Sequence, residues 1–319
     1  MTDTTISPTR QPGSTPDAVA TRHRTARVGD LDIFYREAGD PAAPTLLLLH
    51  GFPSSSHMFR GLIPRLADHY HLVAPDYPGF GHSSFPAPDR FAYTFEHLYE
   101  VVHSFLAVTG IEQFSVYIHD YGAPIGLRLA QREPDRVQAI VTQSGNVYME
   151  GFTPFWDRLF AHAKDRATHE ASVREYLTAE ATRWQWTHGT RDPGAVPPET
   201  WVLDQHLLDR PGNKEAQLDL FHDYQFNLDA YPDFQRYFRD HHPPLLAVWG
   251  RNDEVFGPAG AEAFRRDLPD AEIHLLDTGH FALEDHSDVI AAHIERFAAV
   301  QSPPPQRPAS AGSAATATG

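Results

Sequence analysis

Ile118-His119-Asp120-Tyr121-Gly122 joins a short apolar run, residues 114–118, to a segment whose helical character begins over 126–130. The run has the length of a buried strand, so the connection is a strand-to-helix turn with a carboxylate in it. Four other segments stand in the same relation to an apolar run. His50-Gly51-Phe52-Pro53 follows the run 45–49, and Asp76-Tyr77-Pro78-Gly79-Phe80-Gly81-His82-Ser83 follows 71–74. Trp249-Gly250-Arg251-Asn252-Asp253 closes the run 245–249, and Asp277-Thr278-Gly279-His280-Phe281 follows 272–276. In an open parallel sheet, ligands bind beyond the carboxyl ends of the strands, where all five segments gather.

Outward from these segments the rhythm is strand, helix, strand. Residues 31–36 alternate as an early strand does, 95–108 repeat apolar side chains at helical spacing, 137–141 form a further strand and 289–297 a closing helix. Strands alternating with helices predict a parallel sheet covered on both faces. The rhythm breaks between 149 and 237, where aromatic, helix-like pieces replace strands. The expected division is therefore a core of 26–148 and 238–300 with a helical insertion of 149–237. Residues 1–25 and 301–319, rich in Pro, Ser, Thr and Ala, bury too little apolar surface to order themselves and are expected to be disordered tails.

The 319 residues can bury one or two cores without a disulfide or metal staple. A net charge of −16 repels phosphate backbones and anionic lipid, which argues against nucleic-acid and membrane-surface roles. With no cysteine there is no disulfide framework, thiolate metal site or Cys nucleophile. The first residues lack the apolar stretch of a signal peptide, and no run approaches a membrane span, so a cytoplasmic location is expected. No metal-ligand spacing such as HExxH occurs, and neither a metal nor another cofactor is expected. Nothing in the sequence speaks to oligomeric state.

Together the five segments resemble the α/β-hydrolase family, from about residue 27 to residue 297, in the chain order nucleophile, acid, histidine. The resemblance implies a mostly parallel central sheet with helices on both faces and a helical cap. A serine esterase of this fold carries Gly-x-Ser-x-Gly at the elbow. Here Asp120 stands at the nucleophile position and Ile118 where Gly is frequent. A carboxylate attacks alkyl carbon to form an ester, whereas attack on a carbonyl would give an anhydride. The plain alternative, Asp120 as a helix N-cap, loses weight beside the other four segments.

The resemblance further implies that His280 is the general base that activates water, with Asp253 orienting its imidazole. Among 20 histidines, His280 stands out only through its Thr278-Gly279-His280-Phe281 setting. Some relatives carry the acid after the preceding strand, but Thr142-Gln143-Ser144-Gly145-Asn146 holds none, which favours Asp253. The backbone N–H groups of Phe52 and Tyr121 are the implied oxyanion donors.

Three Asp-nucleophile relatives compete. Haloalkane dehalogenases hold the halide with a Trp directly after the nucleophile and an Asn or second Trp elsewhere, but Tyr121 and Phe52 occupy those positions. Fluoroacetate-type dehalogenases carry Arg after the nucleophile, which Tyr121 is not. Epoxide hydrolases protonate the opening ring with cap tyrosines, and Tyr224 matches the second of these by its distance before the strand at 245. Tyr148, Trp184 and Trp186 are candidates for its partner, and His50 is expected to line the pocket. Each cap aromatic alone is explained by ordinary lid packing. The leading expectation is hydrolysis of a small apolar epoxide, with water as co-substrate. Hydrolysis of a carbon–halogen bond comes second, and a non-hydrolytic binding or lyase role third.

Overall fold

The structure is a computed structural model, and it describes residues 20–301. The chain begins with β1 (Arg22–Val28), β2 (Leu31–Ala38), β3 (Thr45–Leu49), a short helix α1 (Ile63–Leu66) and β4 (His71–Pro75). It continues through α2 (Phe95–Thr109), β5 (Phe114–His119), α3 (Gly122–Arg132) and β6 (Val137–Gln143). Six helices follow without a strand: α4 (Asp157–Lys164), α5 (Arg166–Val173), α6 (Ala179–Thr187), α7 (Glu199–Leu208), α8 (Asn213–Asp223) and α9 (Gln225–His241). The chain then returns to β7 (Leu245–Gly250), α10 (Pro258–Ala263), β8 (Glu272–Leu276) and α11 (Leu283–Gln301).

The strands form one sheet in the order β1-β2-β4-β3-β5-β6-β7-β8. β2 runs antiparallel to both its neighbours, β1 and β4; the pairs from β4 to β8 are parallel. The expected α/β architecture is thus present. β3 shows why the sheet is covered on both faces. Its side chains alternate, Leu47 and Leu49 packing with Phe105, Val116 and Ile118 on one side, and Leu46 and Leu48 with Phe59, Leu62 and Ile290 on the other.

Helix boundaries follow local chemistry. Thr94 caps α2, its hydroxyl oxygen accepting from His97 N at 3.2 Å, and Gly110 ends it at φ +71°, donating its N–H to Leu106 and Ala107 carbonyls. The expected tail of 1–25 is corrected at its inner end. Residues 22–25 belong to β1, which pairs along its whole length with β2, from Arg22 opposite Glu37 to Val28 opposite Leu31. The strand escapes sequence reading because it lies at the sheet edge and buries only Ala26 and Val28. Gln301, expected to open the C-terminal tail, instead ends α11, and residues 1–19 and 302–319 of the two tail expectations lie outside the described residues.

The run α4–α9 crosses the carboxyl end of the sheet. Arg210 Nη2 and Asn213 Nδ2 donate to Gly79 O at 2.8 and 3.0 Å, and Phe95 N donates to Asp223 Oδ2 at 2.8 Å. Trp156, Leu159, Phe221 and Tyr224 of this segment share one apolar cluster with Phe52, Phe95 and Tyr121. Among the described residues no helix is long and apolar enough to cross a membrane.

Candidate active site

The chain leaves β3 for β4 on one side and returns to β5 on the other, so the loops after β3 and β5 face each other where the strand order reverses. Asp120 sits at that point, between β5 and α3, with φ +49°. A non-glycine residue in this region costs roughly 1–3 kcal/mol, and such strain persists where surrounding contacts over-determine it. Those contacts are specific. Phe52 N, from the loop after β3, and Tyr121 N both donate to Asp120 Oδ1 at 2.7 Å. The approach requires Gly51, because a Cβ there would lie 2.3 Å from Asp120 Cβ. Ile118, unusual for this elbow, is accommodated from the other side: Gly126 leaves room where a Cβ would lie 2.5 Å from Ile118 Cγ2.

The other oxygen, Oδ2, lies 3.8 Å from His280 Nε2, which has no hydrogen-bond partner. His280 Nδ1 is 3.0 Å from Asp253 Oδ2. Asp253 is buried and held from all sides: Ser144 Oγ donates to Oδ2 at 2.7 Å, and Val255 N and Phe256 N donate to Oδ1 at 2.8 and 3.1 Å. Burial works to lower the His280 pKa, but the Asp253 charge, the hydrogen bond to it and the Asp120 charge outweigh burial and raise it above 6.5. Burial raises the Asp120 pKa; His280 and the two backbone N–H groups pull it back without cancelling the rise.

A cavity opens over Asp120. Besides Phe52, Asp120, Tyr121 and Val255, its walls are Phe155, Trp156, Leu159, Tyr176, Gln185, Phe221 and Tyr224 from the helical segment. Tyr224 Oη is 3.3 Å from Tyr231 Oη, and both rings are buried. Tyr176 Oη donates to Phe155 O at 2.7 Å, and Trp156 Nε1 to Val255 O at 2.8 Å. Gln185 is 3% exposed and its Nε2 has no partner. A buried donor left unmade costs about 1–3 kcal/mol, so its presence in an apolar cavity is not a packing solution.

The structure therefore brings Phe52, Asp120, Tyr121, Tyr224, Asp253 and His280 together, and takes four expected pocket residues elsewhere. His50 stacks on Tyr77 at 4.0 Å and its Nε2 accepts from Tyr77 N at 3.3 Å, so it pins two loops beneath the site. Burial holds that imidazole neutral, its pKa lowered to about 4. Tyr148 turns its hydroxyl to Asp267 Oδ2 at 2.9 Å and packs on Phe264. Trp186 stacks on Phe281 at 3.9 Å and donates its indole N–H to Asp204 Oδ2 at 2.9 Å. Trp184 lies parallel to Phe155, ring centres 5.8 Å apart, and behind it as seen from the cavity.

Sequence reasoning missed several contributors. Ser144, at φ +54°, comes from the very segment that holds no acid. Gln143 Nε2 donates to His280 O at 2.9 Å, and His119, its ring tilted against that of His280 with centres 4.6 Å apart, anchors its Nδ1 on Gln143 O at 3.1 Å. Their positions next to the elbow and the β6 end are the only signal. Away from the cavity, Glu272, His274 and His293 bring one potential metal-ligand atom each within 4.8 Å of one another. Arg296 Nη2 lies 2.6, 3.3 and 2.7 Å from those side chains, so a guanidinium already supplies the cation there.

A family model for the alpha/beta hydrolase fold matches residues 44–287, and the chain belongs to that family. It is 43% identical over 281 residues to the uncharacterized hydrolase YNR064C of Saccharomyces cerevisiae, covering 86% of this chain and 96% of that protein. It is 34% identical over 290 residues to a haloalkane dehalogenase of Mesorhizobium japonicum, covering 88% and 92%. The crystal structure of DBJA in its dbja delta mutant form shares the fold, with a TM-score of 0.75 at 24% identity over 88% of this chain and 99% of that one. The chain is a hydrolase with haloalkane dehalogenase-like relatives.

Proposed function

We propose that this protein opens small apolar epoxides to vicinal diols through an ester on Asp120, with the helical segment serving as a cap. One observation carries the reading: Asp120 Oδ1 is tied to two backbone N–H groups at 2.7 Å, while Oδ2 is left facing His280 and an apolar cavity. Oδ2 attacks an epoxide carbon, the C–O bond breaks, and the departing oxygen takes the Tyr224 proton. Burial, Tyr231 and Asp120 raise the Tyr224 pKa well above 10, so the phenol is a neutral donor at pH 7. His280 then takes a proton from water, whose oxygen attacks Cγ. Charge develops on Oδ1, where Phe52 N and Tyr121 N already sit. Collapse breaks the Cγ–Oδ2 bond, His280 protonates the second alcohol oxygen, and the proton left on Asp120 returns to the Tyr224 phenolate.

Carbon–halogen hydrolysis is the second reading, favoured by the dehalogenase among the relatives. Against it, the indole N–H groups of Trp156, Trp186 and Trp249 are all given to protein acceptors, so none of them is free to hold a halide. The test of the ester is a single turnover in heavy-oxygen water with a panel of epoxides and haloalkanes. Product that first carries protein oxygen supports the ester; full label in the first product refutes it. Asp120→Ala should abolish turnover. Tyr224→Phe discriminates the leaving group. Epoxide alkylation should slow about a hundred-fold, since general-acid assistance is worth about 10²–10⁴, whereas halide departure needs no proton and should change little.

A further inference from the structure

Of the polar groups that the helical segment brings to the cavity, Gln185 is the one with a buried donor left unpartnered. It lies on α6 between two anchors. Three residues before it, Thr182 donates its hydroxyl to Gln205 Oε1 at 2.7 Å. One residue after it, Trp186 donates to Asp204 Oδ2 at 2.9 Å. Both acceptors belong to α7, so the rotation of α6 about its axis is set from both sides, and Gln185 lines the cavity as a consequence. Gln205 is itself held, its Nε2 donating to Asp209 Oδ1 at 2.9 Å. The result is a buried primary amide with Nε2 unpartnered, on a helix that resists turning it away.

Two of its neighbours in the wall, the Tyr176 hydroxyl and the Trp156 indole, have given their hydrogens to carbonyl oxygens, and a third, the Tyr224 hydroxyl, faces the Tyr231 hydroxyl, which can donate to it, and so keeps its proton for transfer. The Tyr121 hydroxyl is also unpartnered; its ring packs on Phe95 at 4.8 Å and lies 6.3 Å from the Tyr224 ring, but it belongs to the elbow and not to the helical segment. Displacement at carbon sends the leaving atom away from the attacking oxygen. The receiving side is the one built from the helical segment, which contributes Gln185 and Tyr224.

Resting on the Asp120-ester reading, we infer that Gln185 binds the leaving atom: its side-chain N–H holds the oxygen that departs from carbon, while Tyr224 gives that oxygen its proton. The amide donates a hydrogen bond but transfers no proton. It therefore stabilises negative charge on whatever atom leaves, and its contribution grows with how strongly that atom concentrates charge. A small halide is served in the same way, so Gln185 is the residue through which one site accepts epoxides and the harder halides.

The test uses Gln185→Met, which keeps the length of the side chain and removes the donor. It is made in the full chain carrying His280→Gln, so that the ester accumulates and is counted by intact-protein mass. The probes are styrene oxide and a chloro-, bromo- and iodoalkane series of one carbon skeleton. The expected result is epoxide alkylation slowed 10- to 100-fold, with a haloalkane defect that shrinks from chloride to iodide. A Tm equal to or above that of the parent would accompany it, because the variant removes an unsatisfied buried donor. Alkylation by Gln185→Met at the parent rate overturns the assignment, as does an equal loss for every leaving group, which is the mark of altered packing. If the His280→Gln parent itself forms no adduct with any probe, the ester reading falls and this inference with it, an outcome distinct from a parent that alkylates and a variant that alkylates equally well.

Discussion

The imidazole of His280 is poised by two carboxylates of unequal accessibility to it, and this sets the pH behaviour of the reaction. Asp253 contacts Nδ1 at 3.0 Å, and Asp120 stands 3.8 Å from Nε2. The base must be neutral to accept a proton, and Asp253 still raises the His280 pKa when the ester has removed the Asp120 charge, so hydrolysis of the ester should fall as pH drops through that pKa. Alkylation needs ionised Asp120, whose pKa is raised from 3.8, and its acid limb should lie lower than that of hydrolysis. Single-turnover rates of the two half-reactions across pH check this; a shared limb would refute it. Asp253→Asn removes the charge that raises the His280 pKa. Its hydrolytic limb should move to lower pH while the maximal rate falls about a hundred-fold or more, because the imidazole loses its orienting partner. His280→Gln should alkylate Asp120 and stall, giving an adduct by mass spectrometry.

At the scale of elements, two loops and two helices carry the arrangement. Gly51 lets the β3 loop touch the elbow, and Gly51→Ala would push a methyl to 2.3 Å from Asp120 Cβ. Because the obstacle is a side chain at a strained φ, the loop must retreat and Phe52 N must leave Oδ1. Hydrolysis of the ester should slow by about 10²–10³, the loss seen when an oxyanion donor is removed, and pre-steady-state kinetics would locate that loss after alkylation. Helices α6 and α7 meet through Trp186 and Asp204, a fully buried carboxyl whose pKa burial raises to about 8. In the unfolded chain the same group titrates near 3.9. Between about pH 4 and 8 the unfolded state therefore binds fewer protons, and stability falls as pH rises. Asp204→Asn keeps an oxygen for the Trp186 indole and removes this slope. Its Tm relative to the parent should improve from pH 5 to pH 8, and a constant difference would mean that Asp204 is charged when folded.

On the scale of the whole molecule, the helical segment and the sheet share one apolar cluster that runs from Val116 and Ile118 through Phe52 and Tyr121 to Trp156 and Phe221. Polar links at Gly79 and Phe95 add to it. A part that buries its apolar surface mainly against another cannot leave without exposing both, so the two should unfold together. Tryptophan fluorescence reports chiefly the helical segment, which holds all tryptophans but Trp249, while far-ultraviolet dichroism reports both. The two melting curves should coincide; an earlier fluorescence transition would show the segment to be a separate unit. The same continuity makes the site a cavity lined by side chains from both parts, most of them aromatic.

Several features were determined by the sequence alone: the strands beside Asp120, Asp253 and His280, the order of those residues, and the helical break between two strands. Each is a local property, an apolar period or a run ended by Gly, Asp or Pro, and local properties survive in one dimension. β1 was not legible, because an edge strand with an exposed first half has no apolar period to read. The destinations of the large buried side chains after β6 were decided only in three dimensions. Trp186, Tyr148 and Gln185 are alike in being buried, yet one caps Phe281, one reaches Asp267 and one lines the cavity. The difference lies in which neighbour each loop or helix face meets. That in turn is set by partners 18 and 119 residues distant along the chain, whose meeting no stretch of sequence records.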